Sequence, residues 1–225
     1  MQHNLTFDCG SSRERAIMSE KITESRFAYA KAVPKWDVLA VAKLIADATL
    51  TEAKAQGQIR RFAQRQWVPT VERRGTGKNA ANLFGPAAVA GAKVLSVLTE
   101  LGTNQQIIEK VWPVLYHHGD WRSPQPEGEH PVLRAIVDAA TGRPWVLQIE
   151  ARRGDQPGAL LVCAFVHEPA QGAFPPWVAK PDVPPHATIT LDLASLLLPL
   201  HHRFMASIND AETADNFDLA RAGQQ

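Results

Sequence analysis

The stretch Ser123-Pro124-Gln125-Pro126-Glu127-Gly128 constrains what this chain can fold into more than any other feature. Two prolines remove backbone donors and a glycine follows, so neither a helix nor a central strand runs through it. The signals on its two sides differ. Before it, apolar residues recur at helical spacing; after it, the alternation of half-buried strands appears. Helices gathered in one part of the chain and strands in another predict an α+β architecture rather than alternating βα units. The expected organisation is a polar leader over residues 1–33, with Met18 as an alternative start, and a helical unit over 34–122. A small α/β module with an antiparallel sheet follows over 129–205, and then a flexible acidic tail over 206–225, where Asp210, Glu212, Asp215 and Asp218 outnumber Arg221.

Within the helical unit, Val38, Val41, Ala42 and Ile45 mark one face of a first helix over Trp36 to Ala48. Thr51 is the N-cap expected for a second, with Glu52 and Lys54 in its first turn. That helix runs to about Gln66, buries Ala55, Ile59, Phe62 and Ala63, and is stopped by Pro69. Thr70 to Arg73, the turn Gly75-Thr76-Gly77 and Asn82 to Phe84 read as a short hairpin. Gly85-Pro86 opens a third helix carrying Val89, Ala92, Val94, Leu95, Leu98 and Leu101, and Gly102 closes it. A fourth covers about Asn104 to His117 and buries Ile107, Ile108 and Val111.

Charge is concentrated in this unit. Between Thr51 and Lys78, seven cations (Lys54, Arg60, Arg61, Arg65, Arg73, Arg74, Lys78) face only Glu52 and Glu72, a local net charge of +5. The whole chain carries +1, so the remainder carries −4. A basic stretch inside a near-neutral protein is the electrostatic footprint of a nucleic-acid face, although a solvated helix face has the same composition.

The order helix, turn, helix, glycine-tipped hairpin, helix, helix resembles the MerR-like winged helix-turn-helix family. The residues that carry the resemblance are Ile59-Arg60-Arg61-Phe62-Ala63-Gln64-Arg65-Gln66-Trp67-Val68-Pro69, Arg73-Arg74-Gly75-Thr76-Gly77-Lys78, Leu83-Phe84-Gly85-Pro86, and Val94-Leu95 to Leu101-Gly102. The resemblance implies a winged helix-turn-helix head ahead of the α/β module, and a DNA-binding transcriptional regulator acting as a dimer on double-stranded DNA. Its reading helix would present Thr51, Lys54, Gln58, Arg60, Arg61, Gln64 and Arg65 to the major groove, where arginine can fork onto guanine and glutamine onto adenine. Arg73, Arg74, Thr76 and Lys78 on the wing would position the duplex through phosphates. Alternative readings are a protein-interaction or assembly module on the same scaffold, and a small-molecule-sensing domain with a degenerate head.

In the C-terminal part, His130 to Ala140 reads as a helix and Thr141-Gly142-Arg143-Pro144 as a turn. Trp145 to Ala151 and Ala159 to His167 read as a hairpin closed by Arg152-Arg153-Gly154-Asp155, Phe174 to Pro185 as a loop over the sheet, and Thr188 to Leu193 as a third strand. A helix from Ala194 to Ala206 follows. Such a module can sense an effector, contact a protein partner or dimerise. Leu193, Leu196, Leu197 and Leu200 form either a dimer surface or core. Trp145, Trp177, Phe165 and Phe174 form either a pocket lining or core.

Other functions find little support. Apolar residues make up 45% of the chain and charged residues 21%, enough for a buried core. The longest apolar run, Leu193 to Leu200, is broken by Ser195 and Pro199, short of the roughly 18–20 residues that a membrane span needs. Asp8, Arg13, Glu14 and Arg15 interrupt any signal-peptide pattern, and Cys9 and Cys163 are too few for a disulfide framework. A cytoplasmic location is expected. Gly75-Thr76-Gly77-Lys78 is no phosphate loop, since Glu72 stands where glycine is required and Asn79 where Ser or Thr is. His117-His118 and His201-His202 are adjacent pairs that cannot share a helix face, so no metal or cofactor is expected. No enzyme motif is present, and no catalytic activity is expected.

Overall fold

Asp37 starts the first helix: its carboxylate accepts the Ala40 N–H at 2.9 Å, replacing a partner that the first turn lacks. Helix α1 then covers Val38–Ile45. The computed structural model describes residues 31, 33–76, 80–117, 130–153, 160–167 and 186–222. In chain order there follow α2 (Glu52–Gln64), β1 (Glu72–Arg74), β2 (Ala81–Leu83), α3 (Pro86–Glu100), α4 (Gln105–Tyr116), α5 (Pro131–Ala139), β3 (Val146–Arg153), β4 (Leu160–His167), β5 (Ala187–Asp192) and α6 (Leu193–Ala222). The protein is α+β, with two small antiparallel sheets among the described residues.

The expected stops and starts of α3 and α4 have clear local causes. Gly102 adopts φ 77°, and the Gly102 and Thr103 N–H groups return to Thr99 O and Leu98 O at 3.0 and 3.1 Å, a Schellman closure. Asn104 then caps α4 by accepting the Ile107 N–H at 3.0 Å. Leu101 departs from its expected burial and is 60% exposed, because the closure turns it away from the core. Helix α2 ends differently from expectation. Its stop is a Schellman closure at Gln66 (φ 58°), with the Trp67 N–H on Phe62 O at 2.9 Å, three residues before Pro69.

Strand β3 is the centre of a three-stranded sheet ordered β4-β3-β5. Leu147 and Ile149 of this strand belong to the main core; α5 and α6 pack together beside it. Residues from both sides of the expected linker share one apolar cluster: Leu95 and Leu98 of α3 belong to it together with Ile136 of α5 and Leu197 of α6. Gly91 lets α4 close on α3, since a Cβ there would lie 1.8 Å from Tyr116 Oη.

Leu193, Leu197 and Leu200 are 0–2% exposed and Leu196 is partly buried against the same cluster, so this set is core and not a dimer surface. Trp145 and Phe165 are likewise buried; Trp177 and Phe174 lie outside the described residues. Helix α6 continues past the expected end at Ala206, through Ala222, with Ile208 still buried. Cys163 is only partly buried. The stretch 123–128, almost all of the expected leader and the 174–185 loop lie outside the described residues.

Candidate nucleic-acid interface

The turn between α1 and α2 is built from its unsatisfied backbone groups. Asp47 accepts the N–H groups of Thr49 and Leu50 at 2.8 and 2.9 Å, bending the chain so that Leu50 is buried. The carbonyls at the end of α1, which have no partners further along the helix, find them elsewhere. Ile45 O accepts Lys93 Nζ at 3.0 Å, and Lys43 O, Leu44 O and that of the C-cap Ala46 accept Arg203 Nη1. Lys93 belongs to α3 and Arg203 to α6, so two cations from distant elements hold the end of α1. Lys93 is buried and also pairs with Asp47. Burial pushes the Asp47 carboxyl up, but its hydrogen bonds from Lys93, Thr49 and Leu50 outweigh this and hold it well below the usual carboxylate range.

Thr51 caps α2 as expected, its hydroxyl accepting the Lys54 N–H at 3.4 Å. Ala55, Ile59 and Phe62 are fully buried and fix the helix's rotation. With 3.6 residues per turn, the opposite face is then set. It carries Gly57 near its centre, Arg60 and Gln64 to one side and Lys54 and Arg61 to the other, all exposed. Arg65 is also exposed, at the C-cap, where its guanidinium lies 5.0 Å from the Trp67 ring centroid. Gln58 departs from the expected outward direction. It is 5% exposed, and its Nε2 donates to Glu100 Oε1 at 2.7 Å. Lys54 also pairs with Glu100, whose carboxyl the Lys54 hydrogen bond holds below its usual range. A groove of about 450 Å³ runs along this edge, lined by Lys54, Gly57, Gln58, Arg61, Thr99 and Glu100.

The hairpin has the register Glu72↔Leu83, Arg73↔Asn82, Arg74↔Ala81, and its base is tied down by Trp36 pairing with Phe84. Trp36 in turn stacks on Phe204 of α6 at 4.8 Å. Arg73, Arg74 and Thr76 are exposed. Lys35 pairs with Glu72 at 2.7 Å, which holds the Glu72 carboxyl below its usual range. Gly77 and Lys78 lie outside the described residues. Among the described residues, Arg60, Arg61, Arg65, Arg73 and Arg74 form no salt bridge.

Glu100, Lys93 and Arg203 carried no signal in the sequence, because their partners lie 42 to 160 positions away. Gly57 did carry one: glycine inside a helix is unfavourable and calls for a reason. Among the described residues, no group of three or more His, Cys, Asp or Glu is placed to hold a metal ion. No helix among them is long and apolar enough to cross a membrane. No protein-family model matches the chain, and no curated protein matches it in sequence.

Proposed function

We propose that this protein is a sequence-specific DNA-binding regulator with a winged helix-turn-helix head, α2 as the reading helix and β1–β2 as the wing. The observation that carries this reading is the set of five exposed arginines, three on α2 and its C-cap and two on β1, with no salt bridge among the described residues. Clustered exposed cations repel one another, and a polyanion laid across them is attracted and relieves that repulsion. A major groove admits one helix, and the hairpin beside it supplies phosphate contacts. The chain acts as a homodimer on a pseudo-palindromic site, its half-sites one helical turn or a multiple apart. The C-terminal α/β elements, packed into the same core, receive an effector or a protein partner, and the protein works in the cytoplasm without catalytic activity.

The test is binding of the full chain to mixed-sequence duplex DNA across a salt series. Wild type binds with affinity that falls steeply as salt rises. Arg60→Ala/Arg61→Ala loses at least about tenfold, and its salt slope is shallower by about one for each phosphate contact removed. Equal binding by both proteins at every salt concentration overturns the proposal.

A further inference from the structure

Strand β5 is an outer strand of the three-stranded sheet, and among the described residues it pairs on one side only. Leu193 continues its register onto Trp145 and donates its N–H to Trp145 O at 2.8 Å. Bonded pairs alternate along an antiparallel ladder, so Ala187, Ile189 and Leu191 exchange their N–H and C=O groups with β3. The main-chain groups of Thr188 and Thr190 point the other way, where no strand meets them among the described residues. Ala187, Thr188, Thr190 and Asp192 are exposed, so this edge faces outward. The opposite edge strand, β4, packs against α4. Sheet edges that must stay single are blunted by lysine or proline. Strand β5 has neither, and its one charged residue, Asp192, is turned to α6, where it accepts the Ser195 N–H at 3.1 Å.

The strand itself indicates what completes this edge. Thr188-Ile189-Thr190 reads the same in both directions, and so fits a second copy of itself laid antiparallel with Ile189 on the two-fold axis. In that register Thr188 meets the partner's Thr190, and Thr190 the partner's Thr188. These are the residues with open main-chain groups, and each such pair exchanges both N–H···O bonds. On the face that packs on the core, Ile189 meets the partner's Ile189 and Ala187 meets the partner's Leu191. Ile189 and Leu191 are only partly buried within one copy, so the pairing covers apolar surface that the fold leaves open. At the ends, exposed His186 comes opposite the partner's Asp192, an imidazole against a carboxylate that keeps lone pairs beyond those given to Ser195. No pair in this register sets like charges or a charge against an apolar residue.

We infer that β5 is an interface for a second copy of this chain: two β5 strands pair antiparallel about Ile189 and join two three-stranded sheets into one. This assignment rests on the homodimer of the reading above, to which it gives an interface, and not on which face meets DNA.

The test is sedimentation equilibrium of the full chain over a concentration series, with cysteine cross-linking to read the register. Wild type is expected to be a concentration-dependent dimer. Thr190→Pro removes an outward N–H and spares the ladder to β3, a place where an edge strand accepts proline. Thr188→Lys/Thr190→Lys sets like charges directly opposite each other across the two-fold axis. Each raises the dimer dissociation constant by about tenfold or more, with the circular dichroism of the folded chain kept. In a Cys9→Ser/Cys163→Ser background, Ile189→Cys gives a disulfide-linked dimer on oxidation. Leu191→Cys, about 14 Å from its own copy in this register, does not. If wild type is a dimer and neither the proline nor the lysine variant weakens it, the β5 assignment is overturned and the homodimer stands. If Leu191→Cys cross-links as readily as Ile189→Cys, the assignment is likewise overturned. If wild type is a monomer at every concentration, assignment and homodimer fall together, and DNA binding is judged by its own salt series.

Discussion

Arginines in the two parts of this molecule are used in opposite ways. In the C-terminal elements Arg152 and Arg203 are tied into the fold. Arg152 donates Nε and Nη2 to Glu150 at 2.9 and 2.5 Å on the central strand, and Arg203 caps the end of α1 through three carbonyls. On α2 and β1, Arg60, Arg61, Arg73 and Arg74 stand exposed without a salt bridge among the described residues. The difference teaches where to look for function. A cation that satisfies helix-end carbonyls or a buried carboxylate is accounted for by the fold, whereas a cluster of exposed cations without salt bridges among the described residues is where an external partner can bind.

This comparison makes a graded set of expectations, from scaffold to face. Phe62→Ala empties a fully buried site between the two head helices and lowers unfolding free energy by about 3–5 kcal/mol, read from the denaturant midpoint. Lys93→Met keeps the aliphatic stem but leaves Ile45 O without its donor, so a loss of about 2 kcal/mol is expected at unchanged m-value. A smaller effect appears with pH. The folded Asp47 carboxyl titrates below its unfolded value, so its contribution is fully present above about pH 4 and is lost as pH falls through the folded pKa. Wild-type stability therefore declines in acid, and Asp47→Asn, less stable at neutral pH, shows a shallower decline between pH 5 and pH 2. The smallest change is expected for Arg60→Ala/Arg61→Ala, whose stability stays within about 0.5 kcal/mol of wild type. If that pair destabilises the protein as much as Lys93→Met, the distinction between scaffold cations and face cations is broken. If Arg203→Met leaves stability untouched, it is weakened from the other side.

Most of the local structure was legible because its causes are local. Thr51, Asn104 and Gly102 mark helix ends through bonds made to residues within five positions, and Gly85-Pro86 and the 72–83 hairpin follow the same logic. The end of α2 lies close to the expected Gln66, but its cause differs: proline is a strong stop signal in sequence, whereas the acting stop is a non-glycine residue, Gln66, held in the left-handed region while Trp67 packs on Phe62 at 6.1 Å. The Leu193, Leu196, Leu197 and Leu200 stripe was ambiguous because a stripe at helical spacing looks the same whether its own chain or another covers it. Gln58 was misplaced on the reading face because its position lies at the edge of the apolar stripe, where a polar partner across the groove decides its direction.

The sequence by itself determined the α+β class, nearly every element and the concentration of positive charge between residues 51 and 78, because periodicity, caps and composition act over a few residues. Only the tertiary structure decided which of those charges pair with distant residues. It drew Lys54 and Gln58 onto Glu100, brought Lys93 and Arg203 under the end of α1, and left Arg60, Arg61 and the bare backbone of Gly57 facing outward. The reason is that hydrogen bonds and ion pairs are short-ranged in space and indifferent to separation along the chain, so partners 40 to 160 residues apart meet only once the core has packed.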